Sequence, residues 1–437
     1  MSSAPVDVVI AGAGPAGLAA AYHTATAGLR VVVVDDNPSS GGQIWRGEQR
    51  KPTSNEAREW FERIRRAKIE FVHGARVFQQ TNSNTLLAET AQGTVHLSYT
   101  NLIIGTGARE RFLPFPGWTL PNVMGAGGLQ ALVKTGLSIS GKRVVVAGSG
   151  PLLLAVADYL REQRAKVLLI AEQASASRLA RFGLTLLGAG KSTQALELKR
   201  RLSGVKYLNG CWPIAAHGAE KITSVTLFRA GKRWQVDCDY LACGFHLVPN
   251  TELAELLGCK IENGAVSVDR FQQTSVPHVY AGGEATGIGG LDLSLIEGEI
   301  AGLAVANKHN EARKLFPARE KQRRFARVLN ETFALRDELR DLATAATIVC
   351  RCEDIRLERL KTHNSWRSAK LQTRCGMGPC QGRVCGPAVG FLFGWKVESV
   401  RPPVFPVRVE SLATDRHRGH GDANDLARRD AGNHHGF

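Results

Sequence analysis

The first ten residues contain no lysine or arginine, and the apolar run at 8–11 meets glycines at once. A secretory leader needs a basic start and a longer apolar stretch, so neither a leader nor a membrane anchor is expected there. The longest apolar stretches further on are each broken by Gly, Pro or a charge within a few positions, which argues against a membrane-spanning helix. The expected compartment is the cytoplasm, with loose membrane association through an electron acceptor left open. A compact basic and aromatic motif is missing too. Lys and Arg outnumber Asp and Glu by 56 to 40, a net charge of +16, but the basic residues are scattered through helical stretches such as 58–68 and 313–327. Nucleic acid is therefore not an expected partner, whereas an acidic protein or an anionic cofactor would satisfy the charge. No nucleophile or acid–base constellation can be picked out either. His23, His73 and His246 fall in helix, strand and junction contexts where structural histidines are common, and no catalytic residue is assigned.

What the chain does have is length, glycine and a crowd of cysteines. Its 437 residues suggest two or three domains, and 46 glycines point to tight turns or nucleotide loops. The order is that of a parallel α/β protein: a strand at 6–10, a small-residue helix at 15–27, and a strand at 30–34 ending in Asp35 and Asp36. A second such unit has a strand at 142–147, a helix at 151–163 and a strand at 166–170 ahead of Glu172. Short apolar runs at 102–104, 241–244 and 279–283 end in glycine, and 291–307 reads as a helix. The expected plan is a first domain over 1–130, an inserted nucleotide-type domain over 131–245, and a return to the first over 246–310. A charged linker or packing segment follows at 311–345, then a cysteine-rich domain at 346–412. The tail at 413–437 should be disordered, with His434 and His435 solvated.

Gly12, Gly14 and Gly17 lie between a strand and a helix, as a dinucleotide fingerprint requires. Gly12 permits the tight turn, Gly14 lets a pyrophosphate approach the backbone, and Gly17 lets the helix press on the sheet. The helix N-terminus offers free N–H groups to phosphates. Asp35, 18 residues beyond Gly17, stands where an acid accepts from a ribose hydroxyl. The second unit repeats this less fully. Gly148 and Gly150 are present and Glu172 occupies the acid position, but Leu153 stands where a third glycine belongs. A nicotinamide dinucleotide, another adenine nucleotide and a structural remnant all remain open there.

Five of the nine cysteines fall within 36 residues: Cys350 and Cys352, then Cys375, Cys380 and Cys385. Thiolates from two separated segments hold either zinc or an iron–sulfur cluster, and the spacing alone leaves both open. Glycines 376, 378, 382 and 386 let the backbone wrap closely around the second group. Arg351, Arg374 and Arg383 would raise a cluster's potential if close. Cys375 reads as a free buried cysteine.

Residues 6–412 resemble a known family. Gly41, Gly42 and Gln43 after the acidic strand end, the Gly105, Thr106 and Gly107 junction, and the late Gly283 and Glu284 match two-dinucleotide flavoprotein reductases. Where most of those proteins have Asp, this chain has the longer Glu284. Residues 373–385, with Cys350 to Glu353 upstream, resemble the bacterioferritin-associated-ferredoxin type of [2Fe–2S] module. The combination is similar to the FAD-binding subunits of opine (octopine and nopaline) oxidases, and to the matching subunits of hydrogen cyanide synthase and of proline or hydroxyproline dehydrogenase complexes. The family shares Leu153. The resemblance implies an α/β, glutathione-reductase-like fold with two Rossmann-type domains and a small α-rich [2Fe–2S] domain. It implies FAD on Gly12, Gly14, Gly17, Asp35, Gly42, Gln43, Thr106, Gly107, Gly283 and Glu284, and a cluster on Cys350, Cys352, Cys380 and Cys385. It further implies a smaller FAD-dependent, D-amino-acid-oxidase-like partner that oxidises an amine or amino acid. FMN at the interface with that partner, a second adenine nucleotide (ATP or NAD(P)) on Gly148, Gly150 and Glu172, and a small third subunit remain open. Two rival readings stand beside it: a self-contained NAD(P)H-dependent reductase, and a non-catalytic scaffold or redox sensor.

Overall fold

The computed structural model describes residues 5–49, 52, 54–189, 192–396 and 400–413. The expected disordered tail, with His434 and His435, lies outside the described residues apart from position 413.

The first domain is built on a sheet ordered Ile69–His73, Val31–Asp35, Val6–Ala11 and Gly93–Ile104, with Val279–Ala281 added beyond the last. All these pairings are parallel, and the strand Val31–Asp35 is buried along its whole length. A run of four valines suits such a strand, because β-branched residues fill a sheet covered on both faces. Ile10, Leu102, Ile103 and Ile104 are sealed in the same layer, each stabilising the fold by roughly 2 kcal/mol through burial alone. Helix Pro15–Thr26 covers one face, starting with proline at its first position, where a missing N–H costs nothing. It crosses helix Leu291–Val305 at close range, because a Cβ on Gly298 would run into the Ala16 carbonyl oxygen and one on Gly302 would crowd that of Ala20. The strand Gly93–Ile104 is far longer than the apolar run at 102–104. Its first half pairs antiparallel with Thr85–Thr90, which pairs with Arg76–Asn82.

The inserted domain repeats the parallel plan. Its sheet runs Lys206–Asn209, Lys166–Glu172, Arg143–Ser149, Tyr240–Phe245 and Val123–Met124. Leu153, in helix Leu152–Glu162, is buried in the same core cluster as Val144 and Val146. The leucine fills the interface that a third glycine would have closed. Two short antiparallel strands, Ala108–Glu110 and Leu247–Pro249, join the domains. The segment 311–345, expected as a charged linker or packing segment of helical pattern, is mostly the long helix His309–Thr332, followed by a 3-10 turn at Asp337–Asp341. Helices Trp366–Thr373 and Cys385–Phe393 and a hairpin of Ile348–Cys350 with Ile355–Arg356 form the cysteine-rich module. No helix among the described residues is long and apolar enough to cross a membrane.

Candidate dinucleotide and thiol sites

The first glycine turn follows strand Val6–Ala11. Gly12 has φ +112°, and a Cβ there would run into the Gly105 carbonyl oxygen, while one on Gly17 would run into that of Gly12. Both glycines are therefore demanded by close backbone approach. Gly14 is different, since the nearest atom to a Cβ there is the Gly42 Cα at 3.9 Å. Its outer face is open where a pyrophosphate would lie. Asp35 Oδ2 accepts from the Ala13 N–H at 2.5 Å, and Oδ1 accepts from the Asn37 N–H at 2.7 Å. The acid thus stiffens the turn it was expected to serve from the ribose side. The loop after Asp35 folds over the turn, with the Gly41 N–H donating to the Ala13 carbonyl at 2.8 Å. Within that loop, Ser40 Oγ and Arg46 Nε are buried with no hydrogen-bond partner. Unpaired buried polar atoms cost about 1–3 kcal/mol each, and both lie in the loop that closes over the turn. Gln43 is exposed, accepting from the Arg46 guanidinium at 3.0 Å. The residues fit FAD.

The far wall comes from distant sequence. Thr106 Oγ1 donates to the Asn250 carbonyl at 2.7 Å, and the Gly107 carbonyl accepts from the Asn250 N–H at 2.9 Å. Gly283 has φ +73°, and its N–H donates to Glu297 Oε2 at 3.1 Å. Glu297 is buried and paired with Arg323 at 2.9 Å. Burial pushes its carboxyl up, and the arginine opposes that shift. Neither residue belongs to a sequence motif. The available signal is an acid between Ile296 and Gly298 in a largely apolar helix, which also carries Asp292 and Glu299. Glu284 follows Gly283 in this turn, and burial raises its carboxyl while the Gly290 N–H donates to it. That interaction turns at least part of the carboxyl toward the chain's own backbone.

The second turn shares the backbone plan. Gly148 has φ +134°, and a Cβ there would run into the Gly244 carbonyl oxygen, as at Gly12 and Gly105. Gly150 has φ +106° and open space beyond it. Glu172, however, is only 1% exposed, and both oxygens are engaged, by the Gly150 N–H and the Ala174 N–H at 2.8 Å each. Burial pushes its carboxyl up to about 7. The expected ribose-binding acid is held inside the turn instead. Beside it, Ser149 Oγ donates to the Phe333 carbonyl at 2.8 Å, and Gln173 Nε2 reaches the Phe333 and Ala334 carbonyls at 3.4 and 3.3 Å.

The thiols converge. The sulfurs of Cys350, Cys375 and Cys385, all buried, lie within 4.8 Å of one another. Cys380 shares hydrogen bonds with Cys385 and with the exposed Cys352, so all five cysteines, each a free thiol, form one group. Cys375, expected as a free buried cysteine, is free and buried, and lies in the tightest part of the group. The reason is the left-handed turn at Arg374 (φ +66°), which ends helix Trp366–Thr373 and brings the Gly376 N–H to 3.5 Å from Cys350 Sγ. Donation from Cys375 pulls Cys350 down to about 2, and donation from Cys385 pulls Cys380 down to about 5. Cys375 is pushed up to about 12 by its bond to Cys350, and Cys385 is raised by its own bond to Cys350. Such proton sharing among soft donors is the chemistry a thiolate-binding metal or cluster replaces. Gly378 is required here, because a Cβ would run into that of Cys352.

A polar chain joins this group to the first site. Arg109, on the linking strand, donates to the Arg383 carbonyl at 3.2 Å, to Asn250 Oδ1 at 2.7 Å and to Glu252 at 2.8 Å. Asn250 in turn donates to the Thr106 carbonyl at 2.9 Å. Arg109, Asn250 and Glu252 carry no motif, and sequence reasoning does not find them.

Residues 6–309 match the family model described as pyridine nucleotide-disulphide oxidoreductase. Hydrogen cyanide synthase subunit HcnB of Pseudomonas aeruginosa is 31% identical, over 86% of this chain and 90% of that protein. The A-type subunit of opine oxidase from Rhizobium meliloti is 29% identical, over 93% and 87%. Among solved structures, L-proline dehydrogenase from P. horikoshii superposes with a TM-score of 0.66 at 17% identity, covering 94% of this chain and 79% of its own. Thioredoxin reductase from T. acidophilum gives 0.54 at 22% identity, covering 70% of this chain and 98% of its own. These two likenesses establish the two-Rossmann-domain fold. The chain belongs to the pyridine nucleotide-disulphide oxidoreductase family, as an FAD-binding oxidoreductase of the group that contains the hydrogen cyanide synthase and opine oxidase subunits named above.

Proposed function

We propose that this chain is the FAD-binding, electron-transferring subunit of a heteromeric complex that oxidises an amine or amino acid, with the substrate oxidised on a partner flavoprotein. The observation that carries the proposal is the gathering of five thiols on a module bonded through Arg109 and Asn250 to the Thr106 junction beside the first dinucleotide turn. The proposed ligands of a [2Fe–2S] cluster are Cys350, Cys352, Cys380 and Cys385, with Cys375 as a fifth thiol within reach. When bound, FAD exchanges electrons in pairs and the cluster singly, which converts a two-electron oxidation into one-electron delivery. The chain's own residues bind and orient. Gly14 leaves room for the pyrophosphate, Asp35 braces the turn, the Gly376 N–H points at Cys350, and Arg109 fixes the thiol loop against the domain link. The names of the relatives support the heteromeric reading, since each is called a subunit.

The test is co-expression with a candidate smaller flavoprotein subunit. The complex should show dye-linked amine dehydrogenase activity that neither chain has alone, with two iron and two labile sulfide per copy of this chain. Dithionite should produce a one-spin paramagnetic signal that Cys380→Ser disrupts and Cys375→Ser leaves at full count. Zinc without sulfide, or full activity from this chain alone, would overturn the proposal. Against the reductase reading, excess NADH or NADPH should reduce the flavin of the isolated chain more slowly than about 1 s⁻¹, the low end of ordinary turnover. Millisecond reduction in a stopped-flow trace would reinstate that reading.

A further inference from the structure

The carboxyl ends of parallel strands in an open α/β sheet are where nucleotides bind, with the adenosine across the first two strands of the unit. In the second unit those ends are Ser149 and Glu172, and they are already covered. Helix His309–Thr332 stops at Phe333, and the next residues pass over the turn. Ser149 Oγ donates to the Phe333 carbonyl, and Gln173 Nε2 reaches both the Phe333 and Ala334 carbonyls. Gln173 Oε1 accepts from the Arg336 N–H at 3.3 Å, and Arg178 donates to the Ala334 carbonyl at 3.0 Å. Gln173 is completely buried beneath this segment. Phe333 is anchored against Ala174 and edge-on to Phe182, their ring centres 5.3 Å apart. Arg336 lies over Trp212 at 5.0 Å on the other side.

We infer that residues 333–336 are an internal strap lying across the adenosine position of the second glycine turn, and that an adenine nucleotide enters this turn only by displacing it. Three features support a closed site over a turn that never had one. Gly148 and Gly150 hold the positive-φ geometry that a phosphate turn needs. A Cβ on Gly150 would meet nothing within 4 Å, so the space over the turn is kept although no packing demands it. The strap's hydrogen bonds to the turn are made by its own backbone carbonyls and one N–H, partners that water can replace when the segment leaves, and its side-chain anchor is the Phe333 ring. The strap also continues into the turn Asp337–Asp341, whose Leu339 is buried in the second domain's core, and then into the strand that carries Cys350. Release would therefore loosen the near end of the thiol module. The inference does not rest on the proposed amine oxidation or on the identity of the metal.

The experiment uses the full chain loaded with FAD, so that the first turn is filled, and ADP as the probe common to all adenine nucleotides. Calorimetry compares wild type with Phe333→Ala and Gln173→Ala, and amide hydrogen exchange follows residues 333–342 with and without ADP. ADP affinity should rise at least about tenfold in Phe333→Ala, within the usual range of coupling between two exclusive states. By reciprocity, saturating ADP should speed exchange of the strap amides in wild type. Equal affinity in wild type and variants, whether measurable or absent, would overturn the inference. Strap amides that ADP leaves unchanged or slows would do the same, and that second measurement decides the matter if Phe333→Ala cannot be prepared with its flavin.

Discussion

The two glycine turns share one backbone design and stand in opposite states. At the first, Gly12 is pinned under Gly105; at the second, Gly148 is pinned under Gly244 in the same way. Each has an acid at the end of its second strand, Asp35 and Glu172. The difference lies in what remains unspent. Around the first turn, Ser40 Oγ and Arg46 Nε are buried without partners, whereas none of the unpartnered buried side-chain atoms among the described residues belongs to the second turn. There, Ser149 and Gln173 are tied to the segment at 333–336, while Glu172 braces its own turn just as Asp35 braces the first. A fingerprint thus specifies a geometry, and what lies over the turn decides whether that geometry is open to a ligand.

Gly14→Val should break the contrast most severely. The added methyls would stand in the open face of the first turn, and FAD content should fall to about a tenth or less of wild type while the fold persists. Flavin released by acid and separated by chromatography gives the number; undiminished content would mean that the cofactor lies elsewhere. Arg323→Ala attacks the same site from beneath. It leaves the buried Glu297 without its partly exposed cation, and loss of a hydrogen bond to a charged group costs about 1.5–3 kcal/mol. Because Glu297 holds the Gly283 N–H, chemical denaturation should show that loss together with weakened flavin retention. A variant as stable as wild type would show the pair to be ornamental.

The smallest expected effect concerns the second turn. Glu172 titrates near 7 in the fold and in the ordinary carboxylate range when unfolded, so the folded state binds the extra proton between those values. Stability should therefore decline as pH rises through that window. Glu172→Gln should lose some stability at low pH, where one backbone N–H faces its amide, yet show a flatter profile from about pH 5 to 8. Parallel melting curves for the two proteins across that range would remove Glu172 as the source of the slope.

Much of the architecture is legible in the sequence. Strand ends at Asp35 and Glu172, the glycines of both turns and the helix before 307 follow from hydrophobic period and punctuation, and the observed limits differ by a few residues. The antiparallel extension of Gly93–Ile104 is illegible because a long strand that is half-covered in one place and fully covered in another shows no single period. The strap is invisible for a different reason. Its bonds are made largely by the carbonyls of Phe333 and Ala334, and every residue has a carbonyl. Arg109 joins Asn250 to Arg383 over a separation of 274 positions between the two arginines, which local pattern cannot reveal. Cys375 reads as free and buried, which it is, but spacing along the chain says little about which sulfurs meet across a left-handed turn.

The cysteine-rich module is fastened at its far end as well. After it, the Val404 N–H donates to the Phe78 carbonyl at 2.9 Å, and Arg408 and Ser411 both engage Glu89 in the first domain. A body moored at its entrance and its exit behaves as a bridge pier and not as a ferry. If the module holds the cluster proposed above, electrons crossing it travel a fixed span, without waiting for a carrier to diffuse between stations. Thickening the solvent with glycerol should accordingly leave the internal transfer rate unchanged, while slowing any step that depends on a separate acceptor protein arriving.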